Sequence, residues 1–324
     1  MSNIKNIKKP IAEAMNVFED KFKSSLNTSV PLLDKIMHYI IKRKGKQMRP
    51  MFVFLCAKVF GNIKESTYTA ASLIELLHTA TLVHDDVIDE ANFRRGVFSI
   101  NALWKNKVSV LVGDFLLSRG LLLAVEKEEF DLLKIVSRAV KEMSEGELLQ
   151  IEKTRRLNIT EEIYFDIIRK KTAALISACC ESGAVSSGTS VENSDLMKRF
   201  GEKVGIAFQI KDDLFDYTQS SLIGKPTGLD IREKKMTLPL IYTLNNVNKN
   251  DKKFIINTIK NDSKNSKKIE QIINLVKENK GLEFAEKKMN EYYSDSLSLL
   301  KKIQNSDAKT SLMELVKYVV KRQK

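Results

Sequence analysis

Two short acidic runs carry the chemistry open to this chain. The first is LVHDDVIDEANFRRG, residues 82 to 96, with carboxylates at Asp85, Asp86 and Asp89 and the arginines Arg94 and Arg95 behind them. The second is QIKDDLFDY, residues 209 to 217, which repeats the spacing at Asp212, Asp213 and Asp216. Each follows an apolar stretch at helical spacing and so reads as the end of a buried helix. On a helix the outer two aspartates of each run share a face, while the middle one sits about 100° round. Like charges at that spacing repel, and the C-terminal end of a helix is itself negative, so a cation is needed to hold them together. Mg²⁺ suits the position because it prefers hard oxygens, takes one or two carboxylates, and completes its shell with water and substrate phosphates. A single run of this kind is more often a solvated helix end. Two in one register imply two metal-binding walls able to clamp a pyrophosphate and stabilise attacking and departing oxygens. Arg94 and Arg95 are planar bidentate donors of the type that holds phosphate.

The elements that must position these groups are helices. In 324 residues there are only 5 Pro and 13 Gly, and no alternating runs bounded by hairpin signals, so the pattern predicts an all-α protein. It reads as one domain over residues 1–324: an amphipathic N-terminal helix in 1–29 (Ile11, Met15, Phe18 and Phe22 at helical spacing), the motif-bearing part in 30–245, and Lys/Asn-rich peripheral helices in 246–324. Between two early helices lies the loop KRKGKQMRP, residues 42 to 50, where Lys46 and Arg49 would suit a second phosphate. His78 lies two turns before Asp85; a satisfied core histidine is the commoner fate, and contact with substrate is the alternative.

The net charge of +13 fits anionic substrates, and no nucleic-acid-reading motif accompanies it, so nucleic acid is not expected as a partner. Cys56, Cys179 and Cys180 sit in apolar or small-residue contexts and read as reduced core thiols of a cytoplasmic protein. The most apolar run, residues 108 to 125, is interrupted by Asp114 and Arg119, so a membrane span is not expected.

Taken together, GKQMRP (45–50), HTATLVHDDVIDEANFRRG (78–96), VLVGDFLLSRG (110–120), GELLQ (146–150), KKTAALISACC (170–180), QIKDDLFDY (209–217) and GKPTGLDIREKKMTLPLI (224–241) resemble the trans-isoprenyl diphosphate synthases, or polyprenyl synthetases. The likeness covers residues 30 to 245. It implies an all-α bundle around a deep central cavity, with Mg²⁺ held by Asp85, Asp89, Asp212 and Asp216. Asp86, Asp213 and Lys171 would join the catalytic set. By the same resemblance Lys46, Arg49, His78 and Arg95 would bind isopentenyl diphosphate, and Arg94, Lys171, Thr172, Gln209, Lys225 and Lys235 the allylic diphosphate. A homodimer is implied, with the helix of residues 110 to 125 as interface candidate, and with transient membrane contact for product release. Terpene cyclases share the first motif but typically replace the second, and non-catalytic partner subunits usually lose motif aspartates; neither departure occurs here. Upstream of Asp85 the residues Leu77, Ala80 and Thr81 are not aromatic, which predicts an open path for a growing chain and a long-chain product, of hexaprenyl to decaprenyl length and a quinone side-chain precursor. A farnesyl or geranylgeranyl product is the alternative.

Overall fold

The computed structural model describes residues 4–42, 45–94, 96–218 and 227–321. The architecture is all-α as predicted, and among these residues the sheet is a single hairpin pairing Phe93–Arg94 with Val97–Phe98. After an N-terminal turn of helix at Ile4–Lys8 come α1 (Ala12–Ser25), α2 (Pro31–Lys42), α3 (Met48–Phe60), α4 (Glu65–Ile88), α5 (Ile100–Glu126), α6 (Phe130–Arg156), α7 (Glu161–Ile168), α8 (Ala174–Ser187) and α9 (Val191–Phe215). Beyond them lie a single turn, Leu229–Arg232, and the helices α10 (Leu238–Asn246), α11 (Lys249–Asn261), α12 (Ser266–Glu278), α13 (Gly281–Leu300) and α14 (Asp307–Lys321). The chain forms two compact units: residues 1–140, 178–198 and 303–315, and residues 141–177, 199–302 and 316–324.

In the first unit α4 is the spine. It runs from residue 65 to 88 without Gly or Pro, and its small residues Ala70, Ala71 and Ser72 are buried, which lets neighbouring helices approach closely. Leu76, Ala80 and Val83 form one stripe of α4 and pack with Leu26, Ile36, Met37, Val112 and Leu116 into a closed apolar cluster. α3 is apolar on every side, with residues 50 to 57 all buried, as a helix inside a core must be. Among the described residues α5 is the one helix long and apolar enough to cross a membrane, with a mean hydropathy of 1.9 over its most apolar window. One face of it packs against protein and the other is exposed. Arg119 donates through Nε to the Ser25 carbonyl at 2.9 Å, Val112 and Leu116 lie in the core, and the backbone leaves helical geometry at Lys105 (φ 69°, ψ 168°).

The second unit is organised around a widened turn. Between α7 and α8 the backbone runs through a π-helical segment, Arg169–Ala173, a form often found where side chains must be re-aimed for function. Two glycines allow it to be gripped. A Cβ on Gly146 of α6 would lie 2.7 Å from the Lys171 nitrogen, and one on Gly205 of α9 would lie 2.4 Å from the Ala173 Cα. In the same unit α12 buries Ile269, Ile272, Ile273 and Val276 along one face, and α10 stacks Tyr242 on Phe284 of α13 at 4.2 Å. Residues 246–321 are therefore regular helices carrying packing faces.

Because the atom facing Gly205 is backbone, it cannot swing aside. Gly205→Ala is expected to destabilise the fold by about 1–3 kcal/mol, the range for overpacking a filled site. Urea denaturation checks this, and an unchanged midpoint would show that the widened turn does not need the close approach.

Candidate active site

The first aspartate run lies at the end of α4 in the first unit. Its three carboxylates have different surroundings: Asp86 is buried, Asp85 is half-buried and Asp89 is exposed. Asp86 accepts a 2.7 Å hydrogen bond from Nε of Arg94, and its backbone carbonyl accepts from Nδ2 of Asn101 at 3.3 Å. Burial raises the Asp86 pKa, and the Arg94 guanidinium works in the opposite direction. The middle aspartate thus holds the hairpin to the helix, leaving Asp85 and Asp89 on the face that water reaches.

That hairpin borders a cavity of about 180 Å³ within the same unit. Lys46, Arg49, His78, Asp86 and Arg94 all line it, with Phe22, Tyr39, Leu82 and Phe98 among the apolar walls. The structure therefore brings together four basic or imidazole side chains that the sequence spreads over almost fifty positions. Gln47, between Lys46 and Arg49, is left-handed (φ 53°, ψ 39°), a conformation costly for a residue with a Cβ and found preferentially where a loop is held to a task. Arg95 and Lys225 lie outside the described residues.

The second aspartate run ends α9 in the second unit, and its side chains divide in the same way. Asp213 is buried; Tyr164 Oη donates to its Oδ2 at 2.7 Å and Gln209 Nε2 to its Oδ1 at 2.9 Å. Burial pushes its pKa up to about 8, and the charge of Asp230 adds to the shift while the two hydrogen bonds oppose it. Gln209 in turn accepts from Thr172 Oγ1 at 2.7 Å. Thr172, Gln209, Asp213 and Tyr164 are thus one chain of hydrogen bonds that ties the widened turn to α9. On the same turn Lys171 bridges to Glu147 at 2.5 Å and reaches Gln150 at 3.4 Å, so the GELLQ run of α6 is its seat.

Asp212 and Asp216 remain half-buried. Asp216 accepts the backbone N–H groups of Leu229 and Asp230 at 2.8 and 3.1 Å, which fastens the turn that follows. That turn supplies a carboxylate the sequence reading did not single out. The Asp230 pKa is raised to about 6 by burial and by Asp216, with Lys235 pulling it down, so Asp230 belongs to the second acidic cluster. Its signal was the GLD after the second run. Lys235 itself pairs with Glu233 at 2.6 Å.

The donor chemistry fits Mg²⁺. Among the described residues no three His, Cys, Asp or Glu side chains converge into a cage. Each run instead offers two hard carboxylates one helical turn apart and partly open to water, the donor set of an ion that keeps several waters and shares substrate phosphates.

Upstream of the first run, Ala80 is fully buried in the apolar cluster of α4, whereas Leu77 and Thr81 lie on the stripe that continues to Asp85. Thr81 is half-buried and donates through Oγ1 to the His78 carbonyl at 2.8 Å. Of the neighbouring pair, Ala80 faces packed side chains, and Thr81 is the partly open position.

The sequence pattern of the polyprenyl synthetase family matches residues 30–276. An all-trans-nonaprenyl-diphosphate synthase (geranyl-diphosphate specific) of Rhodobacter capsulatus is 35% identical over 97% of this chain and 96% of its own length. The crystal structure of a decaprenyl diphosphate synthase from Rhodobacter capsulatus superimposes with a TM-score of 0.93 at 33% identity, covering 98% of this chain and 99% of that one. That of a geranylgeranyl pyrophosphate synthase from Bacteroides thetaiotaomicron gives a TM-score of 0.85 at 37% identity, covering 98% and 99%. By sequence over most of its length, this chain belongs to the polyprenyl synthetase family.

Proposed function

We propose that this protein condenses isopentenyl diphosphate with an allylic diphosphate and repeats the step to build a long-chain all-trans polyprenyl diphosphate. The observation that carries this is that both aspartate runs bury their middle carboxylate against its own partners while the outer ones, one turn apart, stay within reach of water, Asp216 also fastening the turn after α9. Bound at Asp85, Asp89, Asp212 and Asp216, Mg²⁺ would neutralise charge on the departing diphosphate. Asp86 and Asp213 then act as positioning residues, Asp86 for Arg94 and Asp213 for Gln209. The allylic C–O bond breaks with its electron pair leaving on the diphosphate, and the isopentenyl double bond attacks the resulting cation. A proton lost from the new chain restores the alkene, and the released diphosphate is the base we favour. Lys46, Arg49 and His78 line the cavity beside the hairpin and, with Arg95, hold isopentenyl diphosphate. Arg94, Lys171, Thr172, Gln209, Lys225 and Lys235 serve the allylic substrate. Apolar walls exclude water, which would otherwise capture the cation.

Long-chain specificity has the support of the nonaprenyl and decaprenyl relatives and of the small residue at Thr81. The enzyme works as a cytoplasmic homodimer in this reading. Val110, Leu111, Leu121, Leu122 and Val125 of α5 are exposed in the single chain, and a second copy would cover them. Product release involves transient membrane contact, because a long prenyl chain is insoluble in water.

Incubation with isopentenyl and farnesyl diphosphates and Mg²⁺, followed by chromatography of the products, tests the reading. A longest product of geranylgeranyl length would favour the shorter-chain alternative. Asp85→Asn and Asp212→Asn are each expected to lower turnover by roughly 10² or more, the scale for losing charge stabilisation of a departing group. Activity within a few-fold of wild type in either variant would remove the proposed metal sites. Thr81→Tyr places a ring about 5.4 Å, one turn, before Asp85, and should end products at farnesyl or geranylgeranyl length while the first condensation survives. An active variant with unchanged longest product would show that the chain does not pass Thr81.

A further inference from the structure

Tyr164 is buried on α7, the helix that leads into the widened turn, and its hydroxyl reaches across to α9. There it donates to Oδ2 of Asp213 at 2.7 Å, while Oδ1 of the same carboxylate accepts from Nε2 of Gln209 at 2.9 Å. A carboxylate held at both oxygens cannot rotate. Gln209 must therefore keep its NH₂ group turned toward Asp213, and its Oε1 is the atom that accepts from Thr172 Oγ1 at 2.7 Å. An amide nitrogen carries two donors, so the half-buried Gln209 has a second N–H to offer beyond the bond to Asp213.

We infer that Tyr164 is a positioning residue for the allylic substrate: through Asp213 its hydroxyl fixes which way the Gln209 amide faces, and so how Gln209 and Thr172 are presented to the diphosphate. The inference rests on the reading that Gln209 and Thr172 serve the allylic diphosphate. The packing of α9 on the widened turn does not depend on this bond. It is set by the backbone at Gly205, where a Cβ would lie 2.4 Å from the Ala173 Cα. The Tyr164 ring meets Phe165 edge-on, with centroids 5.4 Å apart, and a phenylalanine ring would fill the same space. What the hydroxyl adds is direction. Without it Asp213 can turn, and the Gln209 amide can reverse, exchanging its donors for its acceptor where Thr172 meets it.

Tyr164→Phe keeps the ring and removes only the hydroxyl. With Mg²⁺ present, it should raise the calorimetric Kd of a non-reacting thiolo analogue of farnesyl diphosphate roughly 3- to 10-fold, the range one hydrogen bond spans. The Kd for isopentenyl diphosphate, whose assigned groups Lys46, Arg49 and His78 stand in the first unit, should stay within about twofold. Placing p-aminophenylalanine at position 164 restores a donor on the same ring and should return the analogue Kd to within about twofold of wild type. In a Gln209→Leu background Tyr164→Phe should add less than about twofold, because the amide it aims is gone. An unchanged analogue Kd in Tyr164→Phe, an equal loss for both substrates, no rescue by the amine, or full additivity with Gln209→Leu would each overturn the inference. So would a Tyr164→Phe chain that no longer folds by circular dichroism, since the hydroxyl would then serve stability. Gln209→Leu alone separates this role from the reading beneath it. If it weakens the analogue while Tyr164→Phe does not, only the role of Tyr164 fails; if it leaves the analogue Kd unchanged, the allylic assignment of Gln209 fails and the role of Tyr164 falls with it.

Discussion

Repulsion between carboxylates placed together at the end of a helix is the constraint to which the rest of this structure responds. Three aspartates within five residues cannot all be left charged and unpaired beside the negative end of the helix that carries them. Each run resolves the conflict by separating its members. The middle aspartate turns into the protein, Asp86 onto a guanidinium and Asp213 onto a phenol and an amide. The outer two stay nearer to water, and Asp216 also accepts the backbone of the turn that follows. The same device appears in two different surroundings, and in both the inward carboxylate also fixes a neighbouring functional group. Asp86 ties down the hairpin bearing Arg94, and Asp213 orders Gln209, which receives the Thr172 hydroxyl.

Backbone geometry supports this arrangement at two places where side-chain chemistry would be insufficient. Lys171 and Thr172 stand on a π-helical turn, and that turn is accommodated because α6 and α9 present glycines where any Cβ would meet main-chain atoms. Lys46 and Arg49 flank a left-handed Gln47. In each case an irregular stretch of backbone is surrounded by regular helices that over-determine it, which is how local strain survives in a stable protein.

The helical fold, the two aspartate runs and the basic loop before α3 were legible in the sequence because they depend on local spacing. A separation of four residues, just over one helical turn, puts Asp85 and Asp89 on one face whatever surrounds them. What spacing does not contain is the identity of the partner across the fold. Asp86 and Asp213 look like their neighbours in the sequence, and only Arg94 and Tyr164 distinguish them. Asp230 joins the second cluster because Asp216 draws the following turn back onto itself, a closure that no helical period encodes. Burial at Ala80 is likewise invisible to spacing. A small residue near a motif suggests open space, yet Ala80 is buried in an apolar cluster with Ile36 and Leu116, and its neighbour Thr81 is the partly buried one. The amphipathic pattern of α5 is ambiguous for a similar reason: its leucines alternate between a core stripe and an exposed stripe that only packing separates.

In the proposed reaction the outer aspartates bind the allylic diphosphate through a metal and the inner ones do not. Calorimetric titration with a non-reacting thiolo analogue of farnesyl diphosphate, with and without Mg²⁺, addresses it without relying on turnover. Binding should require Mg²⁺ in the wild-type protein and be weakened at least tenfold, roughly 1.4 kcal/mol, by Asp85→Asn or Asp212→Asn. Equal affinity for the analogue in the presence and absence of Mg²⁺ would contradict it.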